Sequence, residues 1–146
     1  MKENKPYGDT FFVSPEEVEK IMLPWGELRF LSEPKTTGAD YMPTALVTVY
    51  PGQGGHSAHI HPEAAELIYV LDGLGEQVIW TNGQDDKSAV KRTLKKGDLV
   101  HIPAGLYHSA INIGEEPYTA ILIYQFSGPE ADFRNDPEAK IIPPAI

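Results

Sequence analysis

Glycine and proline fall through this chain as punctuation, and their spacing limits what it can fold into. Each occurs 13 times in 146 residues, about a sixth of the chain against the roughly 12% of average usage. They separate short runs rich in β-branched and aromatic residues at 27–31, 45–50, 57–61, 66–71, 77–81, 89–94, 98–102, 107–113 and 118–126. The breaks are Pro51-Gly52, Pro62, Asp72-Gly73, Asn82-Gly83, Lys96-Gly97, Ala104-Gly105 and Gly114. Strands at roughly 8–12-residue spacing indicate an all-β antiparallel sandwich or barrel.

Two regions depart from that rhythm. Near the start, Ser14 can cap a helix, Pro15 suits its first position and Glu17 completes a capping box, so a short helix is expected before Pro24 and Gly26 end it. From Ser127 onward, Pro129, Pro137, Pro143 and Pro144 predict an extended arm lying on a surface rather than part of a sheet. The expected division is therefore an N-terminal arm over 1–40, a barrel over 41–126 and a C-terminal arm over 127–146, all within one domain.

Lysine and arginine total 12 against 21 aspartates and glutamates, a net charge of −9. That balance argues against nucleic acid or an anionic membrane as partner, since both demand a basic face. The chain has no cysteine, which removes disulfides, thiolate metal sites and cysteine nucleophiles together. Residues 1–6 lack the apolar stretch of a secretory signal, and no window approaches about 18 consecutive apolar residues. A soluble cytoplasmic protein is the expectation.

The chemistry is carried by histidine. His59 and His61 stand two apart, so on a strand both imidazoles leave one face, about 7 Å apart along the chain. The short connection 62–65 lets the chain reverse and bring Glu66 beside them, and His108 follows the Pro103-Ala-Gly105 turn. Three neutral imidazoles and a carboxylate suit iron, manganese, nickel, copper, cobalt or zinc. His56 and His101 have no partner at ligand spacing, and an ordinary structural role stands first for both. Glycine pairs such as Gly73-Leu-Gly75 open no helix and are turns, not phosphate loops. Ser109 and His108, as strand neighbours, point to opposite faces and form no nucleophile pair.

These residues resemble the two motifs of the cupin superfamily. The first, roughly G-x₅-H-x-H-x₃₋₄-E-x₆-G, is met by His59, His61, Glu66 and Gly73; its leading glycine is displaced by one position, at Gly52 or Gly54. The second, G-x₅-P-x-G-x₂-H-x₃-N, is met throughout by Gly97, Pro103, Gly105, His108 and Asn112. Those five coincide by chance on the order of once in 10⁷ starting positions at average residue frequencies. The resemblance implies a double-stranded β-helix, or jelly-roll, barrel with one divalent metal held by His59, His61, Glu66 and His108. It makes Gly97, Pro103 and Gly105 turn residues and Asn112 a hydrogen-bonded structural residue.

The family's metal chemistry includes dioxygenation, decarboxylation, isomerisation and sugar or lactone reactions. The three-histidine, one-glutamate set resembles the quercetinase and oxalate-decarboxylase branches, so a dioxygenase-like enzyme acting on a small organic molecule is the first expectation. Oxalate-type enzymes usually carry two cupin domains, which sets against that branch. A metal-dependent isomerase or decarboxylase is one alternative, and a non-catalytic barrel that binds a sugar or metabolite around a structural metal is another. For acid–base work the candidates are His56, Glu63, His101 and Tyr107; for the pocket wall, Tyr41, Trp80, Tyr107 and Phe126, with Ala110 leaving space beside the metal. Both faces of the strand after Glu66 are apolar, Ile68 and Val70 on one and Leu67, Tyr69 and Leu71 on the other. One face therefore calls for cover by the N-terminal segment, by a second subunit or by both, and a homodimer is expected.

Overall fold

The computed structural model describes residues 10–146. The described residues form ten strands, several with alternating burial: β1 (Lys20–Leu23), β2 (Gly26–Ser32), β3 (Thr44–Val49), β4 (Glu66–Asp72), β5 (Gly75–Trp80), β6 (Ala89–Leu94), β7 (Leu99–Ile102), β8 (His108–Asn112), β9 (Tyr118–Tyr124) and β10 (Lys140–Ile142). Seven form one antiparallel sheet in the order β10-β1-β2-β3-β9-β4-β7, and three form the other in the order β6-β5-β8. The result is a jelly-roll of two sheets, as the cupin resemblance implies; the strand rhythm alone predicts an antiparallel sandwich or barrel.

Period-two burial decides which side of each strand faces in. In β9, Tyr118, Ala120, Leu122 and Tyr124 are buried while the residues between them are not. Leu28 and Phe30 of β2, Val47 and Val49 of β3, Ile68 and Val70 of β4, and Val100 and Ile102 of β7 complete the same core. Each fully buried side chain of this kind stabilises the fold by about 1.5–3 kcal/mol. Glu66 is in register with Tyr124 and Ile102 on its two neighbouring strands, so the pattern that turns Ile68 and Val70 inward carries the carboxylate inward with them.

Three local expectations are corrected. The capping bond at Ser14 forms, its amide donating to Glu17 Oε2 at 2.8 Å, but the helix is a single 3-10 turn over Pro15–Glu17. Beyond it, Ile21 and Leu23 are buried and their neighbours are not, a strand period that overrides the cap. The run at 57–61 makes no regular strand; it contributes one bridge, His59 to His108. The C-terminal stretch is not simply an extended arm. It holds helix α1 (Pro129–Arg134), with Pro129 at its start, and β10, which pairs with β1 at the sheet edge. An edge strand needs hydrogen bonds on one side only, which is why nearby prolines do not forbid it. Among the described residues no helix is long and apolar enough to cross a membrane.

Candidate metal centre

The four residues singled out by spacing meet at the end of the sandwich where β4 and β8 begin. His59 donates its amide to the His108 carbonyl at 3.0 Å and accepts from the His108 amide at 3.0 Å. That antiparallel pair sets the two imidazoles side by side, ring centres 4.2 Å apart. His61 accepts the Gly105 amide at 3.0 Å, which ties it to the Pro103-Ala-Gly105 turn, where Gly105 has φ 84°. The ligand atoms of His59, His61, Glu66 and His108 all lie within 4.8 Å of one another, and the group can hold a metal ion.

The donor set fits such an ion. His61 Nε2, Glu66 Oε1 and His108 Nε2 are buried without any hydrogen-bond partner, a costly arrangement that a shared cation would resolve. Glu66 Oε1 stands 3.2 Å from His108 Nε2 and 3.5 Å from His61 Nε2, yet neither contact has hydrogen-bond geometry. Outside the cluster, Nδ1 of His108 faces the Leu106 carbonyl at 3.0 Å and Nδ1 of His59 faces the Ser57 carbonyl at 3.3 Å. A proton on each Nδ1 donates there and leaves the Nε2 lone pair directed inward.

Electrostatics prepare the same state. Burial chiefly, with the neighbouring imidazoles, pushes His59 down to about 3, so its ring is neutral. Burial alone would raise Glu66; His108 and His61 outweigh it and bring the carboxyl down to about 2. Burial, assisted by the Glu66 charge, pushes the Tyr124 phenol well above its usual range.

Three spaces touch the cluster, one of them only at His61. The outer one, of about 440 Å³, is bounded by His59 and His61, by Trp25, His56 and Phe133, and by Asp132, Asp136 and Glu138 at its rim. The inner one, about 30 Å³, lies between the sheets beside Gln77, Ala110, Tyr118 and Tyr124. Gln77 Oε1 and both tyrosine hydroxyls are buried there without partners.

The remaining candidates separate clearly. His56 lies beside the ligands, its ring centre 4.5 Å from that of His59, and burial lowers its pKa. Glu63 is exposed and borders the third space with Phe126; that space meets the cluster only at His61 and the rim at Asp132. His101 is exposed on β7, opposite Leu67. Tyr107 accepts the Trp80 amide through its carbonyl at 2.9 Å, and neither residue borders the outer space. Tyr41 pairs with Phe126 in an isolated bridge. The aromatic walls are instead Trp25, from the β1–β2 turn, and Phe133 of α1. No motif marked them; the only sequence signal was two large aromatics in segments with no strand partner of their own. Asn112 is structural as expected, its Nδ2 donating to the Val49 and Glu116 carbonyls at 2.9 and 2.8 Å.

Cupin-domain sequences match residues 45–124, and the chain belongs to the cupin family. It is 34% identical over 91 residues to germin-like protein 1-4 of Oryza sativa subsp. japonica, covering 60% of this chain and 39% of that protein. It is 32% identical over 114 residues to auxin-binding protein ABP19b of Prunus persica, covering 72% of this chain and 52% of that one. The chain thus spans about half or less of these relatives' lengths. Oxalate decarboxylase from Bacillus subtilis at pH 4.6 aligns with TM-score 0.64 and 25% identity, over 73% of this chain and 27% of that chain. A second structure of that enzyme, concerned with its Mn(II) centres, gives TM-score 0.62 and 25% identity over 70% of this chain and 26% of that one. The formate complex of Lactobacillus farciminis oxalate decarboxylase, at TM-score 0.66 and 23% identity over 75% of this chain and 31% of that one, speaks for the fold alone.

Proposed function

We propose that this protein is a metal-dependent enzyme acting on a small organic molecule. His59, His61, Glu66 and His108 would hold one divalent transition metal. The observation that carries the reading is the convergence of three buried, unpartnered ligand atoms beside an open space of about 440 Å³. A divalent ion there would supply Lewis acidity. The chain's own residues do the rest: Trp25 and Phe133 wall the entrance, and His56 offers a neutral ring nitrogen beside the ligands. The likeness to the Bacillus subtilis enzyme with Mn(II) centres favours manganese for the first trial. A dioxygenase-like reaction is the reading we adopt, with decarboxylation second on the strength of the oxalate decarboxylase likeness. The homodimer belongs to the same proposal. It would form through the outer faces of β4, β7 and β9, where Leu67, Tyr69, Leu99, Ile121 and Ile123 are in register with one another.

Elemental analysis of protein purified without a histidine tag tests the proposal, with His61→Ala alongside. One equivalent of metal, lost in the variant, is expected. Metal-free protein that takes up no manganese, iron, nickel or zinc overturns it.

A further inference from the structure

The space in front of the ligands carries two chemistries at once. Its wall is aromatic: Trp25 meets His56 edge-on with ring centres 5.5 Å apart, and Phe133 lies 6.4 Å from the His59 ring. Its rim is acidic, with Asp132, Asp136 and Glu138 all exposed. Among the described residues no lysine or arginine lines it. Arg134, between these carboxylates in sequence, does not offset them. Its guanidinium is committed to Glu33, at 2.7 Å through both terminal nitrogens, and to Glu19, at 2.7 Å through Nε. Asp136 Oδ1 accepts the Glu138 amide at 2.9 Å, a bond to a neutral group that leaves the charge in place.

A cleft lined by charge of one sign concentrates the opposite sign and repels its own. The net charge of −9 adds to that field. Aromatic faces beside the rim reward a flat apolar body and, through the ring quadrupole, an adjacent cation. A volume of about 440 Å³ lies within the range for small-ligand pockets, roughly 300–1,000 Å³.

We propose that this pocket takes an organic cation with an aromatic body, an arylalkylamine in chemical class, and discriminates against carboxylate anions, oxalate included, which sides with the dioxygenase-like reading and against decarboxylation. The ring lies against Trp25 and Phe133, and the ammonium faces Asp132, Asp136 and Glu138. This rests on the reading above that the pocket is the ligand site, and it narrows what that site accepts.

The test is a charge series on one ring: benzylamine, benzyl alcohol and benzoate, titrated by NMR into the full-length protein. Metal-free protein is used so that benzoate cannot bind through a metal ion. At low salt, benzylamine should bind tightest and benzoate weakest, with about a tenfold difference between them. In Asp132→Asn/Asp136→Asn/Glu138→Gln the difference should shrink to within about threefold, and Trp25→Ala should weaken the amine and the alcohol together. Raising salt from about 0.02 to about 0.5 M should compress the series in the unsubstituted protein, a control that needs no variant to fold. Benzoate binding as tightly as benzylamine, a series untouched by salt, or no measurable binding of any of the three overturns the proposal. Metal uptake is measured separately. A protein that binds no metal but keeps the charge series loses the enzymatic reading alone, and one that binds metal without the series loses the selectivity alone.

Discussion

Glu66 is the only carboxylate among four groups whose ligand atoms crowd within 4.8 Å, and most of the site's behaviour follows from that. Glu66→Gln removes the negative charge while keeping shape. It should weaken metal affinity by more than the ~10–100-fold that loss of an outer partner costs, whereas His101→Ala, on the outer face of β7, should leave affinity unchanged. Calorimetric titration of both variants decides, and equal losses would remove Glu66 from the ligand set. The same residues set the acid limit of the metal-free protein. Folded His59 titrates at about 3 instead of 6.5, and folded Glu66 at about 2 instead of 4.5. Between those values the unfolded chain binds more protons, so stability falls as pH drops from about 6.5 towards 3 through His59 and from about 4.5 towards 2 through Glu66. Urea midpoints should therefore decline steadily below about pH 6.5 and decline less in His59→Phe; a flat profile contradicts the depressed values. Spacing picked out these four residues because a two-residue step and a short reversal keep them together even though 57–61 forms no regular strand. Trp25 and Phe133 were illegible for the opposite reason: each reaches the site through the path of a whole segment, which no local pattern encodes.

At the level of elements, the C-terminal segment matters most. Arg134 of α1 reaches back more than a hundred positions to Glu33, whose carboxylate is 1% exposed. This pair fastens the helix so that Phe133 packs on Phe30, ring centres 6.2 Å apart, and faces His59. Arg134→Ala would strand a buried charge and should cost about 3 kcal/mol in urea unfolding, near the lower end for broken buried pairs because Arg134 and Glu19 are partly solvated. Arg134→Lys should recover part of that, since it keeps the charge but not the two-pronged geometry. Loss of under about 0.5 kcal/mol in Arg134→Ala would show the clasp to be a surface pair. Strands β2 to β9 were readable because turn residues bracket alternating runs. The early capping box misled because capping is local and weak, while the period-two burial of Ile21 and Leu23 engages the whole sheet. The stretch before His61 misled through its histidines and Ile60, which look strand-like. Gly55 sits where a Cβ would collide with the Ala110 carbonyl, and that close approach holds the segment against β8 as a loop.

For the molecule as a whole, one face is left uncovered by the described residues. Leu67, Tyr69 and Leu99 are 37%, 46% and 60% exposed on the outer side of the larger sheet, and the described part of the N-terminal segment does not cover them. Size-exclusion with light scattering at micromolar concentration should give a dimer, and Tyr69→Glu a monomer. A monomeric unsubstituted protein would show that this face stays in water. The all-β antiparallel class was plain from the punctuation and the two packed sheets from the cupin motifs, whereas the return of the final strand onto β1 required knowing where both ends of the described chain lie.

Residues 132–138 border the opening while standing outside the ladders that carry the imidazoles. On the proposed reading, what the site admits and what it does to its guest depend on different stretches of sequence. Exchanging that short segment between relatives should swap their preferences and leave the reacting centre as it was, so divergence at the doorway can outrun divergence at the hearth.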